Sequence, residues 1–210
     1  MKIIKLNAID STNSFLKEMS QKMPLKNFTV VAASSQEKGK GQMGNEWVSE
    51  PHKNLLCSVF VAFESLKITD QVLLNYAVSV GVSNALKEYK LPKLKVKWPN
   101  DILSSNQKLG GLLIENVMQK NMIVSTVIGI GLNVNQVKFP ENLPNATSIK
   151  NQIKKEVVID DLLENIIDEL KSTIDVLIST NKNDLKDMYL NALYKKNIPT
   201  MFKDSEDALF

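Results

Sequence analysis

An α/β fold follows from three features of the chain. Short β-prone runs recur up to Val134, stretches with helical apolar spacing are interleaved with them and fill the C-terminal third, and no apolar run is long enough to cross a bilayer. With 210 residues the chain holds one large domain, or one domain with a small appendage. An apolar fraction of 43% supports a proper core rather than disorder.

Residues 3–9 read as a strand. Asp10-Ser11-Thr12-Asn13 then offers N-cap side chains for a helix to about Met23. Capping alone accounts for this quartet; its functional reading is a helix start whose hydroxyls and amides hold a polar ligand group. A strand from Val30 to Ser34 precedes Gln36-Glu37-Lys38-Gly39-Lys40-Gly41-Gln42-Met43-Gly44-Asn45, with three glycines in six residues and interspersed Lys. That composition gives a mobile loop able to bring backbone N–H groups and positive charge onto an anion, and a plain surface linker is the bland alternative. It is not the phosphate loop of nucleotide hydrolases, which ends in Gly-Lys-Ser/Thr before a helix.

Residues 54–63 form a β-rich apolar strand, and Thr69 is the expected cap of a helix to about Tyr89, with Val72, Leu73, Tyr76, Ala77 and Val80 on its core face. Next comes the most unusual stretch. Leu94 to Trp98, Leu109 to Val117 and Met122 to Val134 predict a three-stranded meander, turned at Ser104-Ser105-Asn106-Gln107 and Gln119-Lys120-Asn121. Its strands carry Lys97, Asn100, Asp101, Lys108 and the glycine pairs Gly110-Gly111 and Gly129/Gly131. Glycine weakens a strand interior and marks close approach of a ligand or another backbone, while Pro99 argues for an edge or a bulge that turns Asn100 and Asp101 toward a cleft. A solvated hairpin is the alternative. Ile128 to Asn135 is not a dinucleotide-binding fingerprint, since the third glycine and the following helix are missing.

Residues 138–149 are a Pro/Asn-rich loop. Residues 160–179 predict an amphipathic helix burying Leu162, Leu163, Ile166, Ile167, Leu170 and Ile174, and 183–195 another with Leu185, Met188, Tyr189 and Ala192. Met201-Phe202, after Pro199, reads as the start of a strand. Cys57, the single cysteine, excludes an intramolecular disulfide and reads as a small apolar residue rather than a nucleophile. His52 lies in a turn with no second ligand beside it, so no metal site is expected. A net charge of +3 is too weak to argue for nucleic acid, and the 26 basic residues are all Lys, a flexible point charge where Arg would be a planar fork. Without a signal-peptide pattern or a spanning segment, the inference is a soluble cytoplasmic protein with no membrane partner.

Several of these stretches together resemble the biotin protein ligase family, the biotin–[acetyl-CoA-carboxylase] ligases. The matching residues are Asp10-Ser11-Thr12-Asn13, Gln36, Gly39 to Trp47, Asn54-Leu55, Lys97-Trp98-Pro99-Asn100-Asp101, Lys108 to Glu115 and Gly129 to Asn135, in this order. The resemblance covers about residues 5 to 200. It implies an α/β (α+β) catalytic domain with a mixed β-sheet backed by helices, like that of class II tRNA synthetases. The domain would span residues 1–198, with 199–210 the start of a truncated or absent C-terminal β-barrel. It implies no DNA-binding winged helix, and a homodimer through a sheet edge as in relatives.

The activity implied is a two-step ligation. Biotin and MgATP give biotinyl-5′-AMP and pyrophosphate, and a lysine of the biotin carboxyl carrier protein of acetyl-CoA carboxylase, or of another biotin-dependent carboxylase, then takes the biotinyl group. By their match, Lys108 and Asp101 are the catalytic pair. Ser11, Thr12, Asn13, Gln36, Gly39, Lys40, Gly41, Gln42, Trp47, Lys108, Gly111, Gly129 and Gly131 contact biotin. Lys40, Gln42, Asn45, Lys97, Asn100, Asp101, Lys108 and Asn133 contact ATP or its Mg²⁺. The family carries Arg where Lys40 and Gln42 stand. The main alternative is a lipoate or octanoate ligase or transferase of the same fold, and a third reading is a catalytically dead ligand-binding protein.

Overall fold

Strands β1 (Lys2–Ile9), β2 (Thr29–Gln36), β3 (Asn54–Lys67), β4 (Lys95–Lys97), β5 (Asp101–Ser104), β6 (Gln107–Gln119) and β7 (Met122–Asn133) are joined by helices α1 (Thr12–Lys22) and α2 (Gln71–Leu86). Helices α3 (Ile149–Ile153), α4 (Ile159–Ile178) and α5 (Lys182–Ala192) follow in this computed structural model, which describes residues 2–179 and 182–199. The strands form one mixed sheet in the order β1-β2-β3-β7-β6-β5-β4. β1 and β2 run parallel, joined through α1 as a parallel pair requires, and every other neighbouring pair is antiparallel.

The period-2 alternation of the strands divides the sheet into two unlike faces. Val30, Val59, Ile102, Leu112, Ile128 and Ile130 join Leu74, Val78, Leu163, Ile167 and Leu170 in one large core beneath α2 and α4. On the other face Val31, Phe60 and Val127 pack with Leu16 of α1 in a small second core. Further along, that face turns small and polar: Ser58, Gly129, Gly131, Gly111 and Asp101 follow the same alternation and the register of the paired strands. The sheet is thus sealed by helices on one side and left open beside α1 on the other.

Helix α4 buries all six of its expected residues, and β1, α1, β2 and β3 fall where their patterns put them. Other elements differ. The meander has four strands, because Asp101–Ser104 pairs both with β4, across a cis Trp98–Pro99 bond, and with β6. Ser105 and Asn106 both take positive φ, 48° and 65°, which makes the two-residue hairpin tight enough for a short strand to form ahead of it. At α2 Thr69 is not the cap: a 3₁₀ turn, Ile68–Asp70, precedes the helix, and the Asp70 carboxylate goes to Lys182 at 2.6 Å. Val72 is 56% exposed, whereas Leu74, Val78, Val82 and Leu86 are buried, because sheet, α4 and α5 surround the helix and leave it no single core face.

Ser148 caps α3, a short helix unforeseen within the loop region, by accepting from the Asn151 amide at 3.1 Å. The last helix ends at Ala192, after which Leu193 pairs with Val96 beside β4; Met188 on α5 is 40% exposed while Leu185 and Tyr189 are buried. The strand start expected at Met201-Phe202 lies outside the described residues. Among the described residues no helix is long and apolar enough to cross a membrane.

Candidate active site

The open face carries a cavity of about 260 Å³, just below the usual range for small-molecule sites. One part of its lining is built by the start of α1. Ser11 is the N-cap, extended at φ −156°, and Ser11, Thr12 and Asn13 are each only 3% exposed. The parallel β1–β2 pairing brings Gln36, at the end of β2, against them. Gln36 Oε1 accepts from the Thr12 amide at 2.7 Å and from its hydroxyl at 3.0 Å. Beneath lies Ser58 on β3, whose Oγ is 2.8 Å from Thr12 Oγ1 and 2.5 Å from Asn13 Oδ1. Asn13 sits directly on Gly129, where any Cβ would collide with its amide.

The Gly/Lys loop is a small hairpin rather than a plain linker. Lys40 pairs with Glu46, the Gly41 amide donates to Asn45 at 2.7 Å, and the Trp47 amide donates to Gly39 at 2.9 Å. Met43 at φ 54° and Gly44 at φ 79° make the tip. Trp47 lays its indole across the sheet glycines. A Cβ on Gly131 would stand 2.7 Å from Trp47 Cε2, and one on Gly111 3.3 Å from its Cζ3. The strand glycines therefore admit protein side chains, Asn13 and Trp47, as well as opening the cavity.

Lys108 and Asp101 close the lining. Lys108 Nζ stands 2.7 Å from Asp101 Oδ1 and 5.9 Å from the centre of the Trp47 ring. In an unbroken strand Lys108 and Gly111, three apart, would point to opposite faces. The register shift between Ile102 and Leu103 pairs Lys108 with Leu103 but Gly111 with Asp101, so all three reach the cavity face. Lys108 is fixed from its other side as well: its amide donates to Asn145 at 2.7 Å and its carbonyl accepts from Thr147 at 2.9 Å. The Leu112 amide donates to the Asn100 carbonyl at 2.9 Å, and Asn100 Nδ2 donates back to the Leu112 carbonyl at 2.9 Å; its side-chain oxygen has no partner among the described residues.

Ser11, Thr12, Asn13 and Gln36 thus meet Gly111, Gly129 and Gly131, Lys40, Gly41, Gln42, Asn45 and Trp47, and Asn100, Asp101 and Lys108 around one space. Three expected residues lie outside the lining. Gly39 stands behind Trp47, against whose carbonyl a Cβ there would press; Lys97 is exposed on the edge strand; Asn133 is buried, donating to the Thr147 carbonyl at 3.0 Å. Met43, Glu46, Pro99 and Leu113 also line the cavity, with no role read from sequence.

Glu115 reaches the Thr12 side of the cavity from behind, accepting from Asn13 Nδ2 at 3.0 Å and from Lys17 at 2.8 Å. Burial pushes its carboxyl up, but those two hydrogen bonds and the charges of Lys17 and Lys40 outweigh it and hold the group below the usual carboxylate range. Ser58 could have been noticed as a lone polar residue in an apolar strand, and Glu115 as the charged member of the polar pair Glu115-Asn116 within β6. Their alternation puts them on the polar face. Cys57, 1% exposed, belongs to the large core, and burial pushes its thiol up to about 12.

Fold and cavity together define an α/β domain whose open sheet face carries a polar cavity with the Lys108–Asp101 pair on its lining. From β1 to β7 it matches the sequence pattern of the Biotin/lipoate A/B protein ligase family, over residues 6–133, and the chain belongs to that family. It is 30% identical over 140 residues to the bifunctional ligase/repressor BirA of Escherichia coli, covering 67% of this chain and 43% of that protein. To the BirA of Bacillus subtilis it is 32% identical over 133 residues, 62% of this chain and 40% of that one. The matched region is thus less than half the length of these relatives.

Among solved structures, the biotin protein ligase from Aquifex aeolicus in complex with biotin and ATP is similar with a TM-score of 0.78 at 23% identity, covering 100% of this chain and 95% of that one. The biotin protein ligase from Leishmania major in complex with biotinyl-5-AMP is similar with a TM-score of 0.76, also at 23% identity, over 99% and 93%. These two likenesses are of fold.

Proposed function

We propose that this domain is a biotin protein ligase. It activates biotin with ATP to biotinyl-5′-AMP and pyrophosphate, and passes the biotinyl group to a lysine of a biotin carboxyl carrier protein, of acetyl-CoA carboxylase or another biotin-dependent carboxylase. The observation that carries the reading is the single cavity lined both by a buried hydroxyl–amide cluster and by the Lys108–Asp101 pair. A cyclic urea needs the first and a carboxylate meeting a phosphate needs the second. The BirA relatives, named ligases, and the neighbours holding biotin, ATP or the adenylate support the same assignment.

In the first step a biotin carboxylate oxygen attacks the α-phosphorus and pyrophosphate leaves. Two anions must be brought together, so positioning and charge stabilisation carry the catalysis. Lys108, anchored through its backbone on both sides, neutralises the developing charge, and Asp101 orients its ammonium. In the second step the acceptor lysine's amine attacks the acyl carbon, AMP leaves, and the amine's proton passes to solvent. Trp47 and the Lys40–Gln42 hairpin wall the adenylate from water. A Mg²⁺ bound to the triphosphate would offset its charge and would be held at the Asn100–Asp101 end of the cavity. Among the described residues no group of three or more His, Cys, Asp or Glu forms a metal cage, whereas Asp101 and the free Asn100 oxygen fit the one or two ligands that Mg²⁺ takes beside phosphates. The lone buried Cys57 accords with a reducing, cytoplasmic setting.

Calorimetric titration with biotin against lipoate, together with ATP-dependent pyrophosphate release, tests the proposal. Biotin binds and drives release; lipoate does neither. Preference for lipoate would reassign the domain within its family, and binding without release would make it a sequestering protein.

A further inference from the structure

Met43 and Trp98 are the most exposed large apolar side chains among the described residues, at 99% and 66%. Apolar side chains exposed one at a time are ordinary on any surface and ask for no partner. These two border one opening. Met43 belongs to the tip of the Gly/Lys hairpin and lines the cavity, and Trp98 stands in the turn between β4 and β5, next to Pro99 of the same lining. A ligand seated inside gives no reason for two large side chains to face water at its entrance.

Charge is arranged around the same opening. β4 is an edge of the sheet, and the chain after α5 lies parallel to it, Leu193 pairing with Val96 and the Tyr194 amide donating to the Val96 carbonyl at 2.8 Å. Lys195 and Lys196 therefore run the same way as Lys97 and Trp98, and all three lysines are exposed, with no ion pair among the described residues.

The hairpin side carries a carboxylate. Lys40 and Glu46 oppose each other as a non-hydrogen-bonded pair whose side chains leave one face, while Trp47, next along, turns inward onto Gly131. Glu46 lines the cavity, is exposed, and has no ion pair among the described residues. The other carboxylate of the lining, Asp101, is taken by Lys108. A carboxylate without a cation repels a carboxylic acid substrate and a triphosphate alike. It suits an incoming ammonium.

We propose that the rim formed by the hairpin and the β4–β5 turn is the docking surface of the carrier protein. Met43 and Trp98 grip the turn that bears the acceptor lysine, Glu46 draws in its ammonium, and Lys97, Lys195 and Lys196 meet acidic residues beside it. The inference rests on the ligase reading, which requires a lysine from outside to reach the adenylate. It defines the partner as an acidic domain with a projecting turn, the shape that lets one side chain enter while its flanks stay on the rim.

Transfer of the biotinyl group is measured with two acceptors, the apo carrier domain of a bacterial acetyl-CoA carboxylase and hydroxylamine, a small uncharged amine that needs no docking. Met43→Ser and Trp98→Ser each raise the KM for the carrier about tenfold, the scale of losing one apolar anchor. Glu46→Gln lowers kcat/KM for the carrier by a similar factor. Lys195→Glu combined with Lys196→Glu raises the carrier KM more at low salt than at high salt. In every variant the transfer to hydroxylamine and the KM for biotin stay within about twofold of wild type.

A carrier KM unchanged in Met43→Ser and Trp98→Ser, or hydroxylamine transfer that falls in step with carrier transfer, would overturn the docking surface and leave the ligase reading standing. Wild-type protein that labels hydroxylamine and not the carrier would overturn it too. Wild-type protein that releases no pyrophosphate from biotin and ATP would overturn both.

Discussion

Replacing Gly131 by Ala puts a methyl carbon 2.7 Å from Trp47 Cε2 and 3.0 Å from Cδ2 and Cζ2. Carbon atoms rest at about 3.5 Å or more, so the indole must retreat by roughly 0.8 Å. The strand cannot give way instead, because Gly131 is paired with Leu56 on one side and Gly111 on the other. Trp47 rides on a hairpin held by few bonds, and it yields. Overpacking of this kind costs about 1–3 kcal/mol when nothing moves, and less here because the loop does. The cavity wall is nonetheless displaced, and a misplacement near 1 Å lowers ligand affinity by about tenfold or more.

Gly111→Ala is the internal control. Its methyl would stand 3.3 Å from Trp47 Cζ3 and 3.8 Å from Lys108, contacts relieved by a few tenths of an ångström. The assay is emission of Trp47 in a Trp98→Phe background, Trp98 being 66% exposed and otherwise dominating the signal. Gly131→Ala shifts the emission to the red and weakens biotin binding in calorimetry, with unfolding free energy reduced by less than about 3 kcal/mol. Gly111→Ala does little of either. An unchanged Trp47 spectrum in Gly131→Ala, or a larger effect from Gly111→Ala, would refute the assignment of the strand glycines as seats for this indole.

Lys108→Ala lowers ATP-dependent pyrophosphate release by about 10²–10³-fold, the scale of removing one electrostatic donor, and lowers biotin affinity much less; near-normal turnover would remove Lys108 from the mechanism. Gln42→Arg supplies the two-pronged cation that the hairpin lacks, so biotinyl-AMP leaves the protein more slowly in stopped-flow Trp47 fluorescence, and an unchanged off-rate would assign retention to Lys108 and the glycine strands. Cys57, its thiol pushed up to about 12 by burial, resists a thiol-reactive dye at pH 8 until denaturant is added; labelling of the folded protein would contradict its burial. Glu115 titrates below its ordinary value in the folded state, so its contribution to stability is present above that value and is lost as pH falls through the folded one. Acid unfolding curves of wild type steepen below about pH 4.5 more than those of Glu115→Gln, and parallel curves would count against the Lys17–Glu115–Asn13 contacts.

What the sequence determined is what uninterrupted periodicity and residue chemistry can carry. The 3.6-residue spacing of Leu162 through Ile174 fixed α4 and its buried face, and the near-continuous apolar run from Leu55 to Val61 announced a buried strand. Ser11-Thr12-Asn13 at a helix start and glycines inside Leu109 to Leu132 marked where a ligand-sized space would open. The order of those stretches pointed to the family. Val72 was misplaced because periodicity names a face only where a helix has one neighbour, and α2 has three. The strand Asp101–Ser104 was missed because four residues carry too little pattern to stand out from the turn that follows.

The tertiary structure alone decided how the pieces meet. That Lys108, Gly111 and Asp101 share a face depends on a one-residue register shift against a partner strand, which no alternation count within β6 contains. That the open sides of Gly129 and Gly131 receive Asn13 and Trp47 depends on elements more than 80 positions away. Asn13 meets a carboxylate 102 positions along the chain, and Thr12 and Asn13 both meet the Ser58 hydroxyl from the middle of β3. Local composition determines which elements form, because each residue's propensity acts on its own neighbours. Register and hydrogen-bond order come from pairing between distant segments, and only the folded chain brings those together.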